Sequence, residues 1–222
     1  MTGVLCLQGG AEFQPGCEQV DRAVLDQVRP TQVVVTALAG SPGRDYATAT
    51  ANGVRWWSGL GAAATAAPDA RADEAAALDV LASADLVVLP GGSPGRLRAA
   101  LLETGVGALL TERWRRGECA LVGASAGAMV LCSHLVLPDR RGRPVVAGLG
   151  LLPSSLVVPH WSGRSDWLST IHDQLPEGTR VLGLPECSGV IVADGAWTAW
   201  GPHPSELIGQ RQLAVGETVV PA

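Results

Sequence analysis

Short apolar runs, each closed by Gly, Pro or Ser, recur along this chain. Residues 4–7, 32–38, 85–89, 120–122, 155–158, 180–184 and 190–193 read as strands. Several show no alternation with polar residues, the pattern of parallel strands buried on both faces. Helical patterns fill the gaps over residues 18–28, 72–83, 94–102, 107–116 and 126–134. Alternation of this kind predicts a doubly wound, mostly parallel α/β sheet. After Gly189 the periodicity changes. Residues 190–193, 196–200 and 212–220 look like strands separated by Asp194-Gly195 and Pro/Gly turns, which predicts a C-terminal antiparallel extension. The alanine-dense stretch 62–77 reads in part as an amphipathic helix. No internal repeat or linker interrupts the pattern, so residues 1–222 are expected to form one domain.

Composition narrows the function classes. Hydrophobic residues make up 47% and charged residues 17%, enough apolar surface for a sizeable core. The net charge of −5 argues against nucleic acid as a partner, since that needs a basic footprint. No apolar run has the length of a membrane span, and the N-terminal residues read as a first strand rather than a leader, so a cytoplasmic location and no membrane partner are expected. Cys6, Cys17, Cys119, Cys132 and Cys187 form no C-x-x-C pair and are odd in number; reduced thiols fit better than a disulfide framework or a metal site. Seven Trp stand against one Phe and one Tyr; Trp56, Trp57, Trp161 and Trp167 read mainly as core or interface residues, with a cleft lining as the alternative.

The chemistry concentrates at Gly123-Ala124-Ser125-Ala126-Gly127, where a buried strand runs straight into a helix. This is the G-x-S-x-G nucleophile elbow. The turn is tight, so small residues must flank the serine, and the helix N-terminus aims unpaired N–H groups at the reacting centre. The bland alternative is a Gly/Ala turn with Ser125 as an N-cap. An elbow serine needs a base. His134 falls nine residues down the expected helix, His172 inside another helical pattern, and His203 in a late Gly/Pro turn. His160 follows Pro159 at the end of an apolar strand, where open α/β sheets keep their sites. Glu186 leaves the next strand through Pro185 and supplies the carboxylate to orient His160. Upstream, a buried strand ends in Gly91-Gly92, and the N–H groups of Gly92 and Ala126 are the candidate oxyanion hole.

Together these segments resemble the serine-peptidase family of dipeptidase E (aspartyl dipeptidase) and cyanophycinase. Leu89-Pro-Gly-Gly-Ser93 is similar to that family's Gly-Gly-Asn/Asp loop, Gly123–Ala128 to its G-x-S-A-G-A elbow, and Pro159-His160-Trp161 to its Pro-His-Phe segment. Gly183-Leu-Pro-Glu186 resembles the Gly-Leu-Pro-Glu of dipeptidase E. The likeness runs in order from about Asp85 to Gly201. It implies a class I glutamine-amidotransferase-like, flavodoxin-like fold, a Ser–His–Glu triad without metal or cofactor, and a small peptide as substrate. A homodimer is left open.

The departures bear on the substrate. Ser93 replaces the usual Asn or Asp. His160-Trp-Ser-Gly-Arg164 resembles the start of the cyanophycinase motif, but Asp166 and Ser169 stand where later arginines would be. Gly91, Ser93, Trp161 and Arg164 are the candidate substrate-binding residues. Arg164, four residues beyond His160, is suited to pairing a substrate carboxylate, which would favour acidic peptides. The main expectation is hydrolysis of a small peptide or amide, with a cyanophycinase-like exopeptidase as the alternative. A glutamine amidotransferase would need a cysteine where Ser125 stands. A non-enzymatic reading keeps the scaffold as a ligand-binding protein without turnover.

Overall fold

The computed structural model describes residues 2–138, 140–165 and 167–220; Asp166 lies outside them. The strands are β1 (Leu5–Gln8), β2 (Val33–Val35), β3 (Ala64–Ala66), β4 (Leu86–Leu89), β5 (Ala120–Ala124), β6 (Cys132–Val136), β7 (Val145–Ala147), β8 (Leu152–Pro159), β9 (Arg180–Leu184), β10 (Gly189–Ala193), β11 (Ala196–Trp200), β12 (Ser205–Leu207), β13 (Arg211–Leu213) and β14 (Thr218–Val219). Helices α1 (Glu18–Val28), α2 (Arg44–Gly59), α3 (Glu74–Ala82), α4 (Pro94–Glu103), α5 (Val106–Arg115), α6 (Ala126–Leu131) and α7 (Leu168–Ile171) lie between them. None of the described helices is long and apolar enough to cross a membrane.

The parallel centre forms as the apolar runs predict, in the order β3-β2-β4-β5-β1. Every residue of β1, β2, β4 and β5 is buried, because helices cover both faces. Leu5, Leu7, Val87, Leu89 and Leu121 face a core shared with Leu81, Leu97 and Leu110 of α3, α4 and α5. Their neighbours Cys6, Val33, Val35 and Val88 face the other way, onto Val20 and Val24 of α1 and Trp57 of α2. Beyond β1 the sheet continues antiparallel through β10, β11 and β14, the expected C-terminal extension.

The strands after β5 do not all join this sheet. A second, six-stranded sheet runs β13-β12-β9-β8-β6-β7, with β6, β8 and β9 parallel. It begins where a helix is expected: α6 stops at Leu131, Cys132 adopts φ −72°, ψ 170°, and His134 pairs with Ala147 on β7. All six residues of α6 are buried, so the sequence there has no polar face to mark where the helix ends.

Candidate active site

Ser125 sits at the junction of β5 and α6 with φ 48° and ψ −107°, a conformation that a residue with a side chain adopts only under constraint. The constraint is visible on both sides. Its N–H donates to Gln8 O at 3.0 Å, and its carbonyl accepts from Met129 N at 3.0 Å. A Cβ on Gly123 would lie 2.4 Å from Gly127 C, and one on Gly127 would lie 2.0 Å from Leu89 O. Helix and strands therefore touch backbone to backbone, and the two glycines of the motif are a steric requirement.

His160 follows β8 and Glu186 follows β9, so two adjacent parallel strands end beside the serine. His160 Nε2 is 3.1 Å from Ser125 Oγ, and His160 Nδ1 is 3.1 Å from Glu186 Oε1. An ionised carboxylate only accepts, so with neutral imidazole Nδ1 carries the proton and Nε2 presents its lone pair to the Ser125 hydroxyl. Both side chains of the His160–Glu186 pair are open to solvent, at 51% and 62%, so its effect on orientation outweighs its Coulombic gain.

One tripeptide holds all three segments. The carbonyls of Gln8, Gly9 and Gly10, at the end of β1, accept from the N–H groups of Ser125, His160 and Cys187 at 3.0, 2.9 and 3.0 Å. Gly10 has φ 134°, and a Cβ there would lie 2.3 Å from His160 Cε1; one on Gly9 would lie 2.0 Å from Pro185 O. Sequence reasoning did not single out Gly9 and Gly10. The available signal was a Gly-Gly directly after a buried strand, the same pattern that marked Gly91-Gly92.

Glu12 was also missed. Its Oε1 accepts the Gly91 N–H at 2.6 Å, and a Cβ on Gly91 would come within 3.2 Å of Ser125 Cβ. Gly91 thus lies directly against the serine with its N–H already engaged. Gly92, at φ 138°, backs onto Ala39, where a Cβ would meet the carbonyl at 2.8 Å. The N–H groups of Gly92 and Ala126 donate to no protein acceptor among the described residues. Ser93 is occupied structurally: its Oγ caps α4 by accepting from Arg96 N at 3.3 Å.

Behind β1, the Asp21 carboxylate is buried and accepts from Gln8 Nε2 at 2.5 Å and Trp56 Nε1 at 2.7 Å. Burial pushes its carboxyl up to about 6, against the pull of those two bonds. In front, an open cleft of about 520 Å³ is lined by His160, Trp161, Glu186, His203, Glu206 and Gln212. Trp161 forms a wall, 8% exposed, with its indole N–H donated to Glu206 Oε2 at 2.7 Å. Ser162 and Gly163 also border this cleft, whereas Arg164 is exposed and does not line it.

The chain is similar to several known proteins. The chain is 29% identical over 175 residues to the cyanophycinases of Trichormus variabilis and Nostoc sp., an alignment covering 74% of this chain and 58% of each relative. It therefore spans little more than half the length of those relatives. A peptidase from an acI-B1 actinobacterium superposes with a TM-score of 0.79 at 20% identity, over 99% of this chain and 97% of the other. A candidate peptidase E of Listeria monocytogenes EGD-e gives 0.65 at 14% identity, over 91% and 100%. At those identities the two structures establish the shared mixed α/β fold with its parallel core. The model of one family matches residues 5–199, from the first strand to the last residues of β11, and the chain belongs to that family, Peptidase family S51.

Proposed function

We propose that this chain is a serine-type peptidase that hydrolyses a small peptide or amide bond through Ser125, His160 and Glu186. The observation that carries the reading is the continuous relay of two 3.1 Å contacts ending on a strained elbow serine, in a chain of Peptidase family S51. Ser125 Oγ attacks the carbonyl carbon while His160 Nε2 takes its proton. Glu186 holds the Nδ1 tautomer and stabilises the imidazolium. The oxyanion is received by the N–H groups of Gly92 and Ala126. His160 returns the proton to the leaving amine, and water then repeats the sequence to free the acid product.

For substrate, the resemblance to dipeptidase E favours Asp-containing or other acidic peptides. Arg164, on the segment similar to the cyanophycinase motif, stands outside the cleft lining and would read a carboxylate by turning its side chain toward the site. Identity to the cyanophycinases favours a second reading, a cyanophycinase-like exopeptidase. Five free thiols suit a reducing, cytoplasmic setting.

The test is a fluorophosphonate probe, followed by a panel of Asp-X, X-Asp and neutral dipeptides and cyanophycin. Wild type should be labelled on Ser125 and cleave at least one member. Ser125→Ala should lose labelling and at least ~10³-fold in kcat/KM. Labelling that persists in Ser125→Ala, or near-normal turnover, sinks the reading.

A further inference from the structure

Two of the five thiols meet directly behind Glu186. Cys17, at the start of α1, is 1% exposed, and its thiol donates to Ala11 O at 3.0 Å. Cys187, the residue after Glu186, is partly exposed and directs its thiol to the same carbonyl at 3.9 Å. The two thiols therefore converge on one carbonyl oxygen. The Cys187 side chain also packs against the residue before Cys17: a Cβ on Gly16 would lie 3.2 Å from Cys187 Cβ and 3.0 Å from its sulfur. Cys6, Cys119 and Cys132 are buried elsewhere, at 0–2% exposure, and serve as internal controls.

We infer that Cys17 and Cys187 are a disulfide-forming pair, reduced at rest and closed by a peroxide, and that closure draws Glu186 away from His160. The order of events follows from exposure. Burial, and then the nearby Cys187, push the Cys17 thiol well above its ordinary range, so the accessible Cys187 sulfur is the one that attacks the peroxide. Cys187 sulfur takes one peroxide oxygen, giving a sulfenic acid and one water. Cys17 sulfur then displaces the sulfenic hydroxyl, and its proton leaves with that group as a second water. Two thiols lose two electrons and one peroxide gains them.

The mechanical consequence comes from bond lengths. Closure brings the sulfurs to about 2.05 Å, well inside thiol contact, so Cys187 must move toward α1. Cys187 is already held at φ 54° with its N–H on Gly10 O, so it has little freedom to absorb the shift alone. Glu186, one bond away, moves with it. A 3.1 Å contact lengthened by about 1 Å is no longer a hydrogen bond. Misplacement on that scale costs up to ~10²-fold in rate.

The test exposes the reduced full-length protein to hydrogen peroxide at neutral pH, then alkylates and maps peptides by mass spectrometry. The expected result is a Cys17–Cys187 cross-linked peptide, with the other three cysteines alkylated. Fluorophosphonate labelling should fall about tenfold or more and recover with dithiothreitol. The histidine ring resonance missing from His160→Asn should shift on oxidation. Cys187→Ser and, separately, Cys17→Ala should each show the same labelling with and without peroxide. Overturning results are a Cys187 that stops at the sulfenic acid or pairs elsewhere, or a cross-link that leaves the His160 resonance unmoved. If the reduced protein never labels, the peptidase reading fails, while the cross-link and the resonance still decide this one.

Discussion

Gly10→Ala is the sharpest perturbation that the site allows, because the added methyl group points at the imidazole. It would stand 2.3 Å from His160 Cε1 and 2.7 Å from Nδ1, where ordinary contact begins at 3.4 Å. The ring must retreat by about 1 Å, which breaks its 3.1 Å contacts to Ser125 and Glu186. A 1 Å error in a reacting group costs ~10²-fold, or about 2.7 kcal/mol of activation free energy. The φ of 134° adds backbone strain of roughly 1–3 kcal/mol to the cost in stability. Gly195→Ala separates the two effects, since Gly195 also has positive φ, 80°, but no atom within 4 Å of the new methyl. Urea melts and kcat/KM on a cleaved peptide, measured on both variants, provide the assay. Both should lose stability, and only Gly10→Ala should lose about 10²-fold in kcat/KM while still folded. A Gly10→Ala protein within twofold of wild type would refute the steric account of the tripeptide.

Two further outcomes are expected. The Asp21 carboxyl rises from 3.8 to about 6 in the fold, so its contribution is fully present below pH 3.8 and is lost as pH climbs through 6, a total of about 3 kcal/mol. Asp21→Asn should remove that dependence, so the stability difference between variant and wild type should change by about 2 kcal/mol between pH 4.5 and 7.5, in the variant's favour at the higher pH; urea melts giving the same difference at both would show that Asp21 does not titrate this way. Arg164→Met should lower kcat/KM for acidic peptides at least several-fold more than for neutral ones, and equal effects on both series would exclude Arg164 from substrate reading.

What could be read beforehand depended on where each contact partner lies in the chain. α1 was legible to its ends because Val20 and Val24 recur on one face. α2 carries no such signal, since its buried stripe is Tyr46, Thr50, Gly53 and Trp57, correctly spaced but poor in aliphatic side chains. Tyr46 is tolerated inside because its hydroxyl reaches the carbonyls of Ala67 and Pro68. In the site, Ser125, His160 and Glu186 each close an apolar run with Gly or Pro beside them, a local signal. Gly10 is required by a ring 150 positions later, and Glu12 by the Gly91 N–H 79 residues away. The Gly9-Gly10 pair after β1 signals a close approach but not the ring that makes it, and Glu12 leaves no local trace. The division into two sheets was hidden for the same reason, because the pattern predicts strands but not their partners.

The three consecutive carbonyls at the end of β1 also make the site a seam. Ser125 belongs to the first sheet, whereas His160 is carried by a strand of the second and Glu186 lies on the turn that leads from it back to the first. Two of the bonds from this tripeptide, to His160 and Cys187, hold segments that leave β8 and β9. A sub-global opening that parts the sheets would leave the serine strained and without a base, even with every helix of the first layer intact. Turnover then reports the docked state rather than the folded one. In mild denaturant it should vanish while the helical signal persists, and amide exchange at His160 and Cys187 should mark the least protected line through the molecule.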